Sequence, residues 1–177
     1  MDLKILVLGI GNILLGDEGV GVHLCHFLKH NYYFNPPIDC LDGGTLAQAL
    51  IPFIVEYERV LLLDCVDVKD AQVGEVFCFD FNDLPENISW AGSAHEVEML
   101  QTLKLTALVG DLPPTTIIGL IPSLALETTF ELSNALLKGT RIALQKALEI
   151  LKSWGVQAQL KPKPLDLQEL AYLSYKL

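Results

Sequence analysis

The chain of 177 residues is expected to fold as a single α/β domain of three layers: a twisted, mostly parallel five-stranded sheet with one antiparallel strand, and helices on both faces. Three observations point there. Apolar runs such as KILVLG at 4–9 and RVLLLDCV at 59–66 suit strands buried on both faces. Between such runs lie stretches whose apolar residues recur at helical spacing, so that strands and helices alternate. The composition, 51% hydrophobic and 19% charged, is that of a globular domain able to bury a sizeable core.

The first strand covers 4–9. From 19 to 30, Val20, Leu24, Phe27 and Leu28 recur at helical spacing, and Asn35-Pro36-Pro37 then breaks the chain. A short strand at 38–41 leads into the turn Asp42-Gly43-Gly44-Thr45, whose Thr45 is placed to cap the next helix. That helix is expected over 46–55, kinked or ended early by Pro52. The strand at 59–66 follows. At 74–81, GEVFCFDF alternates Val76, Cys78 and Asp80 with phenylalanines, and a connection without a helix makes it antiparallel. A helix over 95–107, a buried strand at 115–121 and a long helix over 132–154 complete the body. The domain is drawn over 1–160, leaving 161–177 as a tail with a short amphipathic helix at 166–175. Right-handed crossovers put the first strand between the second and third. The ligand site of such a sheet then lies beyond the carboxyl ends of the 4–9 and 59–66 strands, where the connections diverge.

Charge narrows the partners. A net charge of -10, from 22 acidic and 12 basic residues without a basic cluster, argues against wrapping nucleic acid. It suits a basic partner or a cation. The apolar stretch from Leu3 to Leu15 is too short to span a bilayer and lacks a cleavage signal, so no membrane span or signal peptide is expected. Cys25, Cys40, Cys65 and Cys78 form no Cys-x-x-Cys pair and read as reduced thiols of a cytoplasmic protein, expected to be a monomer.

The segment GIGNILLGDE at 9–18 resembles a phosphate loop and departs from one. A dinucleotide fingerprint needs a third glycine where Leu14 stands. A P-loop needs Lys and a hydroxyl where Asp17 and Glu18 stand. Two carboxylates would repel a polyphosphate, so the loop favours a cation over a nucleotide. Three residues converge on that end of the sheet: Glu18, Asp64 at the end of its strand, and His95 opening a helix. Each alone reads as an ordinary cap, salt-bridge partner or core residue. Together, two carboxylates and one imidazole can hold a divalent transition ion and leave positions open. The histidines His23, His26 and His30 share one helix face and read as a solvated stripe rather than ligands. Cys65 alternates away from Asp64 and reads as a core thiol, and Asp17 as a cap or structural neighbour.

The segments GIGNILLGDEGVGV, LDGGT at 41–45, LLLDCVD at 61–67, SAHE at 93–96 and IIGLIP at 117–122 together resemble the nickel-iron hydrogenase maturation endopeptidases, in colinear order over about residues 3–155. The resemblance implies an endopeptidase that removes a C-terminal extension from the hydrogenase large-subunit precursor after nickel insertion. Carried over by motif, metal contact falls on Glu18, Asp64 and His95. Substrate recognition and cleavage fall on Asp42 with Gly43, Gly44 and Thr45. Asp42 or Glu18 is then the general base, and the metal is the nickel of the substrate rather than a resident ion. A nickel-sensing chaperone that docks on the precursor without cutting it is the non-enzyme alternative.

Overall fold

The computed structural model describes residues 3–84, 88–89, 94–125 and 127–176, with the side chains of 88–89 and 94–98 outside that description. β1 (Ile5–Ile10) is buried along its whole length. A 3-10 turn, Gly16–Gly19, carries the chain into α1 (Val20–Asn31). Then come β2 (Tyr32–Asn35), β3 (Asp39–Gly44), a 3-10 turn at Ala47–Leu50 and α2 (Ile51–Ile54). β4 (Arg59–Cys65), β5 (Asp67–Val68), β6 (Val76–Asp80) and β7 (Ile88–Ser89) precede α3 (Ala94–Leu108). β8 (Thr115–Leu120), α4 (Asn134–Ser153), β9 (Gln157–Leu160) and α5 (Leu167–Leu173) finish the order.

The main sheet runs β3-β1-β4-β8-β6. Its first four strands are parallel, and β6 is antiparallel to β8. This is the expected mixed sheet, with β1 between β3 and β4. Alternate side chains feed two cores. Val7, Leu61, Leu63 and Cys65 pack with Leu24, Leu28, Leu136 and Leu151 of α1 and α4. Leu6, Leu8, Leu62 and Ile117 pack with Leu50, Ile54, Met99 and Leu103 on the opposite face. The β1–β4 boundary is therefore the switch point, with α1 on one face and α3 on the other.

Four local features differ from what the sequence leads one to expect. The helix drawn over 46–55 is a 3-10 turn followed by a single α-helical turn. Pro52 sits in the first turn of α2, where its missing N–H is harmless, so it starts a helix rather than kinking one. Thr45 does not cap that segment. Leu46 is its N-cap, without a side-chain cap bond, and the turn is closed instead by Leu46 N–H donating to the Gly43 carbonyl at 3.0 Å. Finally, β2 and β9 form an antiparallel ribbon, Tyr32 opposite Leu160, where the sequence offers no apolar run to announce strands.

The C-terminal segment packs on the body. α5 opens with a capping box between Asp166 and Glu169. It buries Leu167, Leu170 and Ala171, two of which join the core shared by α1 and α4.

Candidate active site

The loop after β1 turns sharply because Gly11 adopts a φ of +145°, and a Cβ there would overlap the Glu18 carbonyl oxygen. That carbonyl accepts from Asn12 N–H at 3.1 Å, closing the loop on itself. The helix behind it lies hard against the sheet: a Cβ on Gly21 would overlap the carbonyl oxygens of Leu63 and Ile10. The glycines thus keep the geometry of a phosphate loop while the acids change its chemistry.

Asp17 and Glu18 divide the work. Asp17 is buried and saturated. Its Oδ1 accepts from Ser133 N–H at 2.7 Å, and its Oδ2 accepts from Ser133 Oγ–H at 2.6 Å and Ser123 N–H at 2.9 Å. It ties the turn to the chain after β8 and to the cap of α4, in agreement with a structural role. Glu18 is buried in the same 3-10 turn. Asp64, near the end of β4, is fully buried, and its Oδ1 accepts from Cys65 N–H at 2.7 Å. The turn rests on this strand end, since Cys65 Sγ–H donates to the Asp17 carbonyl at 3.4 Å. Cys65 faces the α1 and α4 core, opposite to Asp64, as strand alternation requires. An open pocket of about 320 Å³ borders the turn, lined by Gly16, Asp17, Ser123, Thr129 and Ser133 among others.

His95 lies in the first turn of α3, and its side chain is outside the described residues. Because α3 runs back along the sheet to the start of β8, its first turn belongs to the same carboxyl end as Glu18 and Asp64. Among the described residues, no three His, Cys, Asp or Glu side chains gather as a metal site.

Asp42, Gly43 and Gly44, expected to form a turn, instead end β3, and this strand end joins the same loop system. Asp42 lies opposite Gly9 in the β1–β3 register, and the Gly44 carbonyl accepts from Gly11 N–H at 3.0 Å. Gly43 is buried where a Cβ would press on Leu8, Ile10 and Leu50, so its smallness serves packing. Thr45 is half-buried beyond it. Asp42 Oδ1 accepts from Gly44 N–H at 2.9 Å, and Oδ2 lies 3.2 Å from His26 Nε2. Burial pushes the Asp42 carboxyl up, but the His26 hydrogen bond and charge, with the Gly44 N–H, outweigh it and hold the pKa below its ordinary value.

The histidine stripe is the main correction. His30 is exposed, but His23 and His26 are buried. His23 Nδ1 lies 2.9 Å from Ser174 Oγ, which itself donates to the Leu170 carbonyl, so the ring is the donor. Burial, reinforced by the neighbouring His26, drives the His23 pKa down to about 4. Sequence reasoning missed both residues because their partners are distant in the chain: Ser174 of the tail for His23 and Asp42 of β3 for His26. No disulfide joins the four cysteines.

Residues 22–150 match the model of the hydrogenase maturation protease family. The chain belongs to this family. Hydrogenase maturation proteases are peptidases, and the chain is accordingly a hydrolase of that class. It is 47% identical over 159 residues to protein HydD of Wolinella succinogenes, covering 88% of this chain and 99% of that one. It is 29% identical to the hydrogenase 2 maturation protease of Escherichia coli, covering 88% and 95%. Its fold superposes on the hydrogenase maturating endopeptidase HybD from Escherichia coli with a TM-score of 0.79 at 28% identity, covering 90% and 98%. The maturation-protease fold is thus a mixed five-stranded sheet flanked by helices, as expected from the sequence. Among the described residues, no helix is long and apolar enough to cross a membrane.

Proposed function

We propose that this maturation protease removes the C-terminal extension of a nickel-iron hydrogenase large-subunit precursor once nickel is in place. The observation that carries the reading is the burial of two carboxylates, Glu18 in the turn after β1 and Asp64 near the end of β4, on the two strands that flank the switch point of the sheet. Two carboxylates with the His95 imidazole suit a divalent transition ion and leave room for further ligands. Those ligands come from the precursor's own metal-binding side chains, so productive docking requires the precursor to carry its nickel. When bound, the substrate's nickel supplies Lewis acidity at the scissile carbonyl or at an attacking water.

The protein's own groups do the rest. Asp42 is held ionised and half-exposed, so it orients a water or a peptide N–H as an acceptor. Its lowered basicity favours Glu18 for proton abstraction. Gly43, Gly44 and Thr45 extend the strand end on which the substrate chain lies.

Incubating the purified protein with nickel-loaded and with nickel-free precursor, and following the large subunit by mass, tests the reading. Loss of the C-terminal segment from the nickel-loaded form alone is expected. Stable binding without a mass change would mark a chaperone and overturn it. His95→Ala and Asp64→Ala are expected to abolish cleavage while leaving far-UV circular dichroism unchanged. Retained cleavage in either variant removes that residue from the site.

A further inference from the structure

We propose that His26 is a positioning residue for Asp42, fixing the carboxylate in one orientation by donating its Nε2–H to Oδ2. The inference rests on the reading that Asp42 acts on the substrate. Nothing in the motif comparison singles out His26, which lies on α1 outside every segment that carries the family resemblance beyond its glycine loop.

Two donors approach Asp42 from different sides. Gly44 N–H takes Oδ1 at 2.9 Å, and His26 Nε2 stands 3.2 Å from Oδ2. Among the described residues each oxygen has one protein partner, which removes the freedom of the carboxyl to rotate. The Asp42 side chain is still 41% exposed, so lone pairs remain for a substrate, whereas the His26 side chain is only 6% exposed. The partner is therefore rigid and the acid accessible, the division expected of a working carboxylate and its support.

The protonation of Nε2 follows from the surroundings. Among the described residues, His26 Nδ1 is buried without a hydrogen-bond partner. A proton on Nδ1 would be an orphaned buried donor, and the Nε2 lone pair would then face a carboxylate oxygen. Nε2 therefore carries a proton. Backbone placement is equally constrained, because Cys25 Sγ lies 3.6 Å from the Val7 carbonyl and 3.4 Å from that of Leu41, pinning α1 across the β1–β3 seam.

The titratable groups around Asp42 are few. His26, His23 and Cys25 face it from α1. β1 (Ile5–Ile10) and the 3-10 turn Ala47–Leu50 contribute no ionisable side chain. Deleting the His26 donor thus leaves burial, which raises the Asp42 pKa, opposed chiefly by the Gly44 N–H.

The test uses the full chain with ¹³C-carboxyl-labelled aspartate and ¹⁵N-labelled histidine. In the wild type, NMR is expected to show His26 with Nε2 protonated, and Asp42 titrating below the ordinary carboxylate range. In His26→Leu, which fills the volume without a donor, the Asp42 titration moves to higher pH. The acidic limb of kcat for cleavage of nickel-loaded precursor moves with it. There kcat falls roughly tenfold with KM little changed, the kinetic equivalent of one hydrogen bond to a charged group. His26→Gln, whose amide supplies a donor near the Nε2 position, restores both. A wild-type His26 without a proton on Nε2, an Asp42 titration unmoved in His26→Leu, or a failure of His26→Gln to restore it overturns the proposal. If His26→Leu does not fold, the protonation of wild-type Nε2 and His26→Gln decide it. Asp42→Asn separates the two readings: cleavage at the wild-type rate would refute the role of Asp42 itself, while the NMR titrations still judge the positioning.

Discussion

Replacing Asp17 distinguishes a structural acid from its functional neighbour Glu18. The Asp17 carboxylate is 3% exposed and accepts three hydrogen bonds, one at Oδ1 from Ser133 N–H and two at Oδ2 from Ser133 Oγ–H and Ser123 N–H. Hydrogen bonds to a charged group contribute about 1.5–3 kcal/mol each, less where water can replace the partner. Ser133 keeps a second task, since its Oγ also caps α4 by accepting from Leu136 N–H at 3.2 Å, so Asp17→Ala does not strip that cap directly. The two backbone N–H groups, however, lose their only named acceptor. Their part-buried setting places the net loss at about 3–4 kcal/mol.

Asp17→Asn sharpens the test. An amide offers one oxygen, and its best orientation directs that oxygen to the two donors formerly served by Oδ2. The NH₂ then faces Ser133 N–H, a donor against a donor. One bond is lost and one repulsion gained, for about 2 kcal/mol. Urea unfolding followed by far-UV circular dichroism reads both as shifts of midpoint at constant slope. A drop of less than about 1 kcal/mol for Asp17→Ala refutes the account. So does a loss of cleavage in Asp17→Asn that exceeds its loss of folded protein, since that would give Asp17 a chemical role.

Two further outcomes follow from the tail and from His23. Deleting residues 161–177 uncovers the core face met by Leu167 and Ala171, with an expected loss of about 3–6 kcal/mol in the same urea assay; a truncated chain as stable as the full one refutes the docking. His23 titrates near pH 4 when folded against 6.5 for the ordinary group, so between those values the unfolded chain binds a proton that the folded one refuses. Stability from this residue is therefore fully present above pH 6.5, falls as pH drops towards 4 by about 3 kcal/mol, and levels off below. The fall is expected to vanish in His23→Gln, and its persistence there would assign it elsewhere.

The strands of the main sheet were legible because each is buried on both faces and so reads as an apolar run. KILVLG, RVLLLDCV and TTIIGLI fall on β1, β4 and β8 within a residue or so at either end. The β2–β9 ribbon was not, since its strands are four residues long and show no buried face of their own in sequence. Pro52 misled for a different reason: position within a helix, rather than presence, decides what proline does, and only the structure places it in the first turn. At the site, period-two alternation separated Asp64 from Cys65 correctly. The distinction between Asp17 and Glu18 was legible in outline only, because the partners of Asp17 are more than a hundred residues away in the chain.

The buried histidines and the tail were one problem rather than two. With the place of the tail left open, α1 keeps an uncovered side, and its histidines then read as a solvated stripe. Yet the tail's Leu167, Leu170 and Ala171 make an apolar stripe that needs a partner, and α1 supplies it. Asn31 at the end of α1 confirms the fit, donating to the Leu165 carbonyl and accepting from Leu165 N–H, each at 2.9 Å. Once α5 closes that side, His23 must find a partner in the tail and finds Ser174. One turn further along α1, His26 reaches Asp42 from the same helix. The docked tail therefore holds in place the helix face on which the donor to Asp42 stands. Its removal is expected to loosen the Asp-Gly-Gly strand end as well as the core, although no residue of the tail touches that strand end through any bond described above.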